Sequence, residues 1–474
     1  MFKGWIHQAN AFLKEKYVIN IIYLIACTLL LHACASTELE KPEAFSKDTY
    51  DLYFRALDQG DVQAQLQLGE MYAVGHEVSQ DYTKASSFYL LAADQGNRTA
   101  QLRLAEMYTM GHGVSQDSAE AIRWYRLAAK QGDTLAQLRL GRMYDKGQGV
   151  PQDYREASRW YRIAGDRGDI QAQLRLGEMY DQGQGLPQNY QEASYWYRMA
   201  AMQGTLQAQM RLGEMYDQGQ GVQQNYRKAR RWYRLAAKQG SPEAQMRLGE
   251  MYDQGEGVEQ DYTQASNWYL LAANTENPSA QIRLAKMYAL GQGVSRNYTE
   301  AYRWYQKVAD QGHPIAQLQL GEMYKNGQGV PQDDTKARHW YRLAADQGNP
   351  LAQLYLGEMH EIGQGMPQDY SKAIHWYHLS ADQGEAQAQF KLGSLYVVQE
   401  DYVNAHMWLN LSAASGNDKA QKMLSAIASG MSHEQIAEAQ KLARNWDAEG
   451  SHQAGAPTQK DIFSGSTVSG EPSP

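Results

Sequence analysis

Residues 172–204 read AQLRLGEMYDQGQGLPQNYQEASYWYRMAAMQG, and this stretch is one copy of a unit that fills most of the chain. The alanine that opens the unit recurs every 36 residues, and its ten copies are Ala64, Ala100, Ala136, Ala172, Ala208, Ala244, Ala280, Ala316, Ala352 and Ala388. A fixed period of this length is typical of a solenoid, in which each unit packs only against its neighbours. The 474 residues therefore predict one elongated array rather than the roughly three domains that length alone suggests.

The first half of the unit predicts an amphipathic helix. Ala172, Leu176 and Tyr180 fall four residues apart, so a helix places them on one face. Gly183 follows this pattern directly. Glycine suits the left-handed position that ends a helix, so we expect the first helix to end there.

The second half of the unit predicts another helix. Asn189, followed three residues later by Glu192, forms the capping box that marks a helix start. Two helices of roughly 12 to 15 residues are too short to be stable alone, so neighbouring units must complete their core. Because Gly177 has no side chain, we expect Trp196 or Tyr197 of the paired helix to lie against its backbone.

The pattern resembles a known repeat. Residues 134–168 follow, with small departures, Ala-x-Ala-Gln-x-x-Leu-Gly-x-x-Tyr and then Gly-x-Gly-Val-Pro-Gln-Asp-Tyr-x-x-Ala-x-x-Trp-Tyr-x-x-Ala-Ala-x-Gln-Gly. This sequence is similar to the Sel1-like repeat, a relative of the tetratricopeptide repeat, and the resemblance covers about residues 48–446. It implies an all-α fold: a right-handed α/α solenoid of about ten 36-residue helix-turn-helix repeats with capping helices. It also implies a non-enzymatic scaffold for protein assemblies, in bacteria often in the cell envelope.

The sequence predicts six segments along the chain. They are a signal peptide (1–33), a tether (34–47), an N-terminal capping helix (48–60), the repeat array (61–416), C-terminal repeat and capping helices (417–446) and a disordered tail (447–474). The tail is predicted to be disordered because it consists of Gly, Ser, Pro and polar residues.

The leader predicts a lipid anchor. Lysines precede an apolar run over residues 17–31, which is too short for a comfortable membrane span and reads as a secretory signal. Leu31-His32-Ala33-Cys34 resembles the bacterial lipobox, whose cysteine is acylated. Cys27 is an alternative with a better-matching box, but cleavage there would leave apolar residues 28–31 at the mature start. With Ala35 after Cys34, the resemblance implies the outer membrane. An uncleaved anchor on a cytoplasmic scaffold is a further alternative.

Two places interrupt the period. At Asn274-Thr275-Glu276 the usual Asp-Gln-Gly is missing, and Lys286 of the same unit replaces a glutamate. This change has three alternative interpretations: a local bend, a partner-specific edge, or drift at a tolerant surface turn. Residues 396–401 replace the Gly-Gln-Gly turn with a shorter segment.

Composition and motifs exclude several kinds of function. A formal net charge of −8 argues against nucleic-acid binding. We expect no catalytic residue, cofactor or small-molecule substrate. His375 and His378, with His339 one unit earlier, make a metal site conceivable, but exposed helix histidines are the simpler interpretation and we expect no metal. Cysteine-rich relatives with β-lactamase-like activity suggest an alternative role in cell-wall or β-lactam binding or hydrolysis.

The candidate binding surface is the side of the first helices that the core does not use. If these helices line a concave face, as in tetratricopeptide arrays, carboxylates form a ladder that favours a basic segment of a protein partner. The predicted groove residues are Leu174, Glu178, Asp181, Glu214, Asp217, Glu250 and Asp253. An arginine ladder lies three residues before the glutamates, so Arg–Glu pairs within each helix are an alternative interpretation of both ladders.

Overall fold

The computed structural model describes residues 46–450, with the side chains of residues 46–446. These residues form helices and no strand, which confirms the all-α prediction. The predicted signal peptide, Cys27, Cys34, most of the tether and most of the tail lie outside the described residues. No helix within residues 46–450 combines the length and the apolar character that a membrane span requires.

The chain divides into two compact units, of which the first ends at Gln203 and the second begins at Gly204. In the first unit, a single helix precedes four helical pairs, and each helix packs on the next. Its helices are α1 (Lys47–Leu57), α2 (Val62–Val74), α3 (Tyr82–Asp94), α4 (Arg98–Met110), α5 (Ser118–Lys130), α6 (Thr134–Lys146), α7 (Tyr154–Asp166), α8 (Ile170–Gln182) and α9 (Tyr190–Met202).

The second unit repeats the pairing, and its last helix ends at Gly450. Its helices are α10 (Leu206–Gln218), α11 (Tyr226–Lys238), α12 (Pro242–Gln254), α13 (Tyr262–Asn274), α14 (Pro278–Leu290), α15 (Tyr298–Ala309), α16 (Pro314–Asn326), α17 (Asp334–Asp346), α18 (Pro350–Ile362), α19 (Tyr370–Ala381), α20 (Ala386–Val398), α21 (Tyr402–Ala414), α22 (Asp418–Ala428) and α23 (His433–Gly450).

Side-chain caps fix where the helices begin and end. Asp169 accepts a hydrogen bond from the Ala172 backbone N–H at 2.8 Å and so starts α8. Gly183 ends the same helix in the left-handed conformation, with φ 72°. Asn189 accepts from the backbone N–H of Glu192 at 3.2 Å and starts α9. These local contacts account for the regular 13-residue helices.

A tyrosine ring lies on a bare glycine backbone in most repeats. A Cβ atom added to Gly177 would lie 2.7 Å from Cδ1 of Tyr197, so the missing side chain is what lets the ring lie this close to the backbone. The prediction of a bulky neighbour for Gly177 is therefore confirmed for Tyr197, whereas Trp196 packs on Gly165 of the preceding repeat. The same contact joins Gly69 to Tyr89, Gly141 to Tyr161, Gly213 to Tyr233, Gly249 to Tyr269, Gly321 to Tyr341 and Gly357 to Tyr377.

Buried glutamines connect successive repeats. The Gln173 side-chain amide donates to the carbonyl oxygen of Gly165 at 2.9 Å, although Gln173 has no exposed surface. Its own amide oxygen accepts from Gln203 at 2.8 Å. The Ala-Gln motif thus keeps a polar group in the core because both ends of that group are hydrogen bonded.

The irregular turn at residues 274–276 has the same left-handed backbone as the equivalent turns, although a non-glycine residue occupies the left-handed position. Glu276 adopts φ 65°, where the equivalent Gly312 has φ 92°. Thr275 replaces the glutamine that donates to the buried amide in other repeats, and the Gln245 Oε1 atom has no hydrogen-bond partner. Helices α13 and α14 keep their usual 13-residue lengths on either side of this turn.

We expect Glu276→Gly to raise the free energy of unfolding by about 1 kcal/mol, because glycine adopts positive φ without the steric cost of a Cβ atom. The exposed ion pair of Glu276 with Lys307, at 3.7 Å, contributes little. Urea unfolding followed by circular dichroism measures the change. The matched control is Gly312→Glu, where a Cβ atom meets open space, so that only backbone strain is added and stability should fall. Shifts of both variants in the same direction would contradict this explanation.

Candidate protein-binding surface

The seven predicted groove residues all lie on first helices and are all half-buried. Leu174, Glu178 and Asp181 belong to α8 in the first unit. In the second unit, α10 and α12 carry the others, which are Glu214, Asp217, Glu250 and Asp253. In each unit, we call the residues of this set the first-helix surface.

In the first unit this surface is organised around one arginine. Arg175 donates two hydrogen bonds to the carboxylate of Asp145, at 2.8 and 2.9 Å, and one to Glu178 at 3.1 Å. Gln184 accepts a fourth, at 2.8 Å. The Tyr161 hydroxyl also donates to Asp145, at 3.1 Å. Since Asp145 lies on α6 and Arg175 on α8, the two-pronged contact joins the first helices of successive repeats.

The second unit repeats the arrangement with more negative charge. Arg247 donates to both oxygens of Asp217, at 2.7 and 2.8 Å, and to Glu250 at 3.3 Å. Glu256 stands where the first unit has Gln184 and accepts from Arg247 at 2.6 Å. One guanidinium therefore contacts three carboxylates. Burial raises the pKa of Glu250, while attraction to Arg247 and Arg283 opposes that shift.

Tyrosine hydroxyls position the remaining aspartates. Tyr197 donates to Asp181 at 3.2 Å and Tyr269 donates to Asp253 at 3.3 Å. Burial, and next the negative charge of Asp253, raise the pKa of the Tyr269 hydroxyl, so it stays protonated and acts as a donor. The ring that packs on glycine thus also fixes a carboxylate at the surface.

The structure contains the Arg–Glu pairs that the alternative interpretation of the ladders describes. The Arg–Glu pairs within one helix are present, for example between Arg211 and Glu214 at 3.0 Å. Sequence analysis missed the stronger contact, in which the arginine reaches an aspartate 30 residues earlier. The signal was available, because an aspartate precedes both Arg175 and Arg247 by the same interval.

Further along the second unit, other residues replace the arginine and the aspartate of the ladder. Gln319 takes the place of the arginine, and its amide donates to Glu322 at 2.8 Å. Burial raises the pKa of Glu322, and hydrogen bonds from Tyr355 and Gln319 oppose this only in part. Lys325 takes the place of the aspartate and approaches Glu358 at 3.9 Å.

The three histidines considered as metal ligands make other contacts. His378 Nε2 lies 3.0 Å from the Tyr396 hydroxyl, and its ring packs edge-on against Trp408. Burial lowers the pKa of His378. The rings of His339 and His375 each contact the tryptophan that follows them in sequence. Within residues 46–446, no three potential metal ligands lie together.

Ten consecutive segments match the model of the Sel1 repeat: residues 62–97, 99–133, 134–169, 170–205, 206–241, 242–274, 278–313, 314–349, 350–385 and 386–417. The chain belongs to the Sel1 repeat family. Solenoids of this family are typically non-catalytic scaffolds and commonly bind protein partners.

Two solved structures are similar to this chain in sequence. A protective antigen of uropathogenic Escherichia coli strains, which displays an SLR fold, is 34% identical, with 90% of this chain and 92% of that chain covered and a TM-score of 0.69. A Sel1 repeat protein from Oxalobacter formigenes is 33% identical, with 69% and 99% covered and a TM-score of 0.48. No functionally curated protein matches the sequence.

The contact between Arg247 and Asp217 should stabilise the stack of repeats. We expect Arg247→Gln to lower the free energy of unfolding by about 1–3 kcal/mol, because three carboxylates lose a shared donor. In a double-mutant cycle with Asp217→Asn, the coupling energy should reach about 1 kcal/mol. The exposed pair of Arg303 and Glu300, at 2.6 Å within α15, is the matched control, with an expected coupling of about 0.3–0.5 kcal/mol. Equal coupling in both cycles would contradict a role in joining repeats.

The buried carboxylate of Glu322 should make stability depend on pH. Because its pKa is raised in the folded state, stability present at low pH is lost as the pH rises through that pKa. Glu322→Gln removes this loss, so we expect the variant to be more stable at pH 7, with the difference vanishing below about pH 4. Urea unfolding across this pH range measures the difference.

Asp81→Asn is the control of opposite sign, since a backbone hydrogen bond from Lys84 lowers the pKa of Asp81. Asp81 contributes stability above its unfolded-state pKa, and this contribution is lost as the pH falls. The control should therefore be less stable than the wild type at pH 7. A Glu322→Gln variant that loses stability at pH 7 would show that its hydrogen bonds outweigh its burial.

Proposed function

We propose that this protein is a non-enzymatic scaffold of the bacterial cell envelope, whose first-helix surface binds a basic segment of a partner protein. In this proposal Cys34, or alternatively Cys27, carries the lipid that attaches the chain to the outer membrane. The repeat array faces the periplasm and holds the partner without transforming it.

The envelope location rests on the leader and on one relative. The leader has the order of a lipoprotein signal: a lysine-containing start, an apolar run over residues 17–31, and then Leu31-His32-Ala33-Cys34. The Escherichia coli relative is described as a protective antigen. That description supports an envelope protein, because antibodies reach the cell surface more readily than the cell interior.

The single observation that carries the binding proposal is the carboxylate cluster around Arg247. Asp217, Glu250 and Glu256 all contact this one guanidinium at 2.6–3.3 Å, so the cluster retains negative charge after pairing. Glu256 remains partly accessible, with 25% of its side chain exposed. A lysine or arginine of a partner can therefore approach carboxylates whose neighbours already hold them in position.

The way these carboxylates are held favours binding of a preformed surface. The buried Tyr233 hydroxyl donates to Asp217 at 3.2 Å, and Arg247 donates to the same carboxylate, so two partners hold the Asp217 side chain in position. Ordering such side chains before a partner arrives reduces the entropy lost on association. A stack of similar rungs suits an extended or helical segment better than a compact ligand.

Site-specific photo-crosslinking in intact cells tests the binding surface. A photoreactive phenylalanine is placed at Leu174 or Met246, which are half-buried on first helices, and at Tyr195 of α9 as the matched control. We expect a protein adduct from the first two positions and none from the control. Glu250→Gln with Glu256→Gln should reduce the Met246 adduct severalfold while leaving Arg247 paired with Asp217. Equal adducts from all three positions would overturn the proposed surface.

The same cells supply the test of the anchor. Mass spectrometry of the purified protein should find a diacylglyceryl-modified cysteine, Cys34 or Cys27, as the first residue. An intact Met1 would contradict the anchor and favour a cytoplasmic scaffold, whatever the crosslinking shows.

A further inference from the structure

Helix α11 carries a concentration of positive charge that the rest of this acidic chain does not share. Its sequence, YRKARRWYRLAAK, contains six cations and no carboxylate. Four of the cations recur at helical spacing, at positions i, i+4, i+7 and i+11, and all four side chains are exposed. They are Arg227, Arg231, Arg234 and Lys238, and we call them the α11 basic stripe.

Where another second helix has an arginine at the position equivalent to Arg231, a glutamate on the same helix neutralises it. Arg123 pairs with Glu120 three residues earlier at 3.1 Å, and Arg303 pairs with Glu300 at 2.6 Å. In α11 the position of that glutamate is occupied by Lys228. The substitution removes the internal partner and adds another positive charge, so the stripe has no counter-charge on its own helix.

The helices packed against α11 do not supply a counter-charge for the stripe either. On α10, Asp217 is engaged by Arg247 and Tyr233. On α12, Glu243 accepts a hydrogen bond from the Ser241 hydroxyl at 2.8 Å. Within the described part of the chain, no carboxylate lies within ion-pair distance of the six α11 cations, which are Arg227, Lys228, Arg230, Arg231, Arg234 and Lys238.

The two remaining cations rest on aromatic rings. The Lys228 ammonium lies 5.1 Å from the centre of the Tyr216 ring, and the Arg230 guanidinium lies 5.9 Å from that of Tyr252. These contacts hold the side chains but leave their charge in place. They therefore broaden the positive field around the stripe.

The second helix of the following repeat, α13, is neutral and partly apolar. Helix α13 contains no charged residue, and Leu270 and Leu271 are 37% and 47% exposed. Leu235 on α11 itself is 37% exposed. A ligand on the stripe thus meets a row of cations together with the exposed Leu235 side chain of the same helix.

We propose that the α11 basic stripe docks an acidic segment of a protein partner. The cations follow one another at about 6, 4.5 and 6 Å along the helix axis, over about 16 Å in total. A partner helix with carboxylates at the same i, i+4, i+7 and i+11 spacing matches this row. Three of the four are arginines, whose planar guanidinium binds a carboxylate through two parallel hydrogen bonds.

The charge of the whole chain favours a protein over a membrane or a nucleic acid. At a formal net charge of −8, the molecule as a whole is repelled by an anionic bilayer, and one helix offers a narrow contact with it. A duplex requires a basic surface that follows several phosphates, whereas these cations lie on one helix and α13, the second helix of the following repeat, is neutral. A short acidic segment needs only the stripe itself.

Peptide binding to the full chain tests the proposal. The probe is a synthetic helical peptide with glutamates at i, i+4, i+7 and i+11, and the same peptide with glutamines serves as its neutral counterpart. Fluorescence anisotropy should show binding of the glutamate peptide that weakens with salt, and no binding of the glutamine peptide. Replacing Arg227, Arg231 and Arg234 by glutamine should weaken the affinity about tenfold.

The matched control removes the same number of charges elsewhere. Arg123→Gln, Arg159→Gln and Arg303→Gln act on arginines that pair with a glutamate on their own helix, and they should change the affinity less than about twofold. Equal weakening by both triple variants would overturn the proposal, because net charge alone would then explain the binding. Failure to bind the glutamate peptide, combined with stripe-dependent binding to phosphatidylglycerol vesicles, would overturn it in favour of a membrane.

This inference does not depend on the envelope location or on the first-helix surface. The crosslinking experiment probes α8 and α12, whereas the peptide experiment reads the outward side of α11. Either result can fail without affecting the other.

Discussion

The packing of a tyrosine ring on a bare glycine backbone brings the two helices of a repeat together in seven of the ten repeats. Gly177 allows Tyr197 to approach within a distance that any Cβ atom would block. The close approach brings the phenol to Asp181, where it donates a hydrogen bond at 3.2 Å. A steric condition in the core thereby determines the position of a charged group at the surface.

Polar side chains then couple each repeat to the next. Gln173 donates to the Gly165 carbonyl across a repeat boundary in the core, and Arg175 donates to Asp145 across the same boundary at the surface. Arg175 and Asp145 are 30 residues apart in sequence. Such contacts strengthen the interfaces that hold a solenoid together, since every repeat lacks a complete core of its own.

The same architecture lets neighbouring helices present different charges. First helices in the second unit hold carboxylates in excess around Arg247, whereas the second helix α11 exposes four cations on one side. Ala229 of α11 is matched by a buried alanine in the second helix of each other repeat, and Tyr233 by a buried tyrosine in each except α21. Because the core uses only the inward positions, the outward ones can change without loss of the fold.

The sequence by itself determined the helices, their caps, the repeat number and the pairing of Gly177 with Trp196 or Tyr197. These features follow from spacing within one repeat, where 3.6 residues per turn decides which side chains share a face. Only the tertiary structure decided that Tyr197 is the residue on Gly177, that Arg175 binds Asp145, and that Gln173 is buried. Each of these depends on how closely separate helices approach, and no periodicity within a single helix encodes that distance.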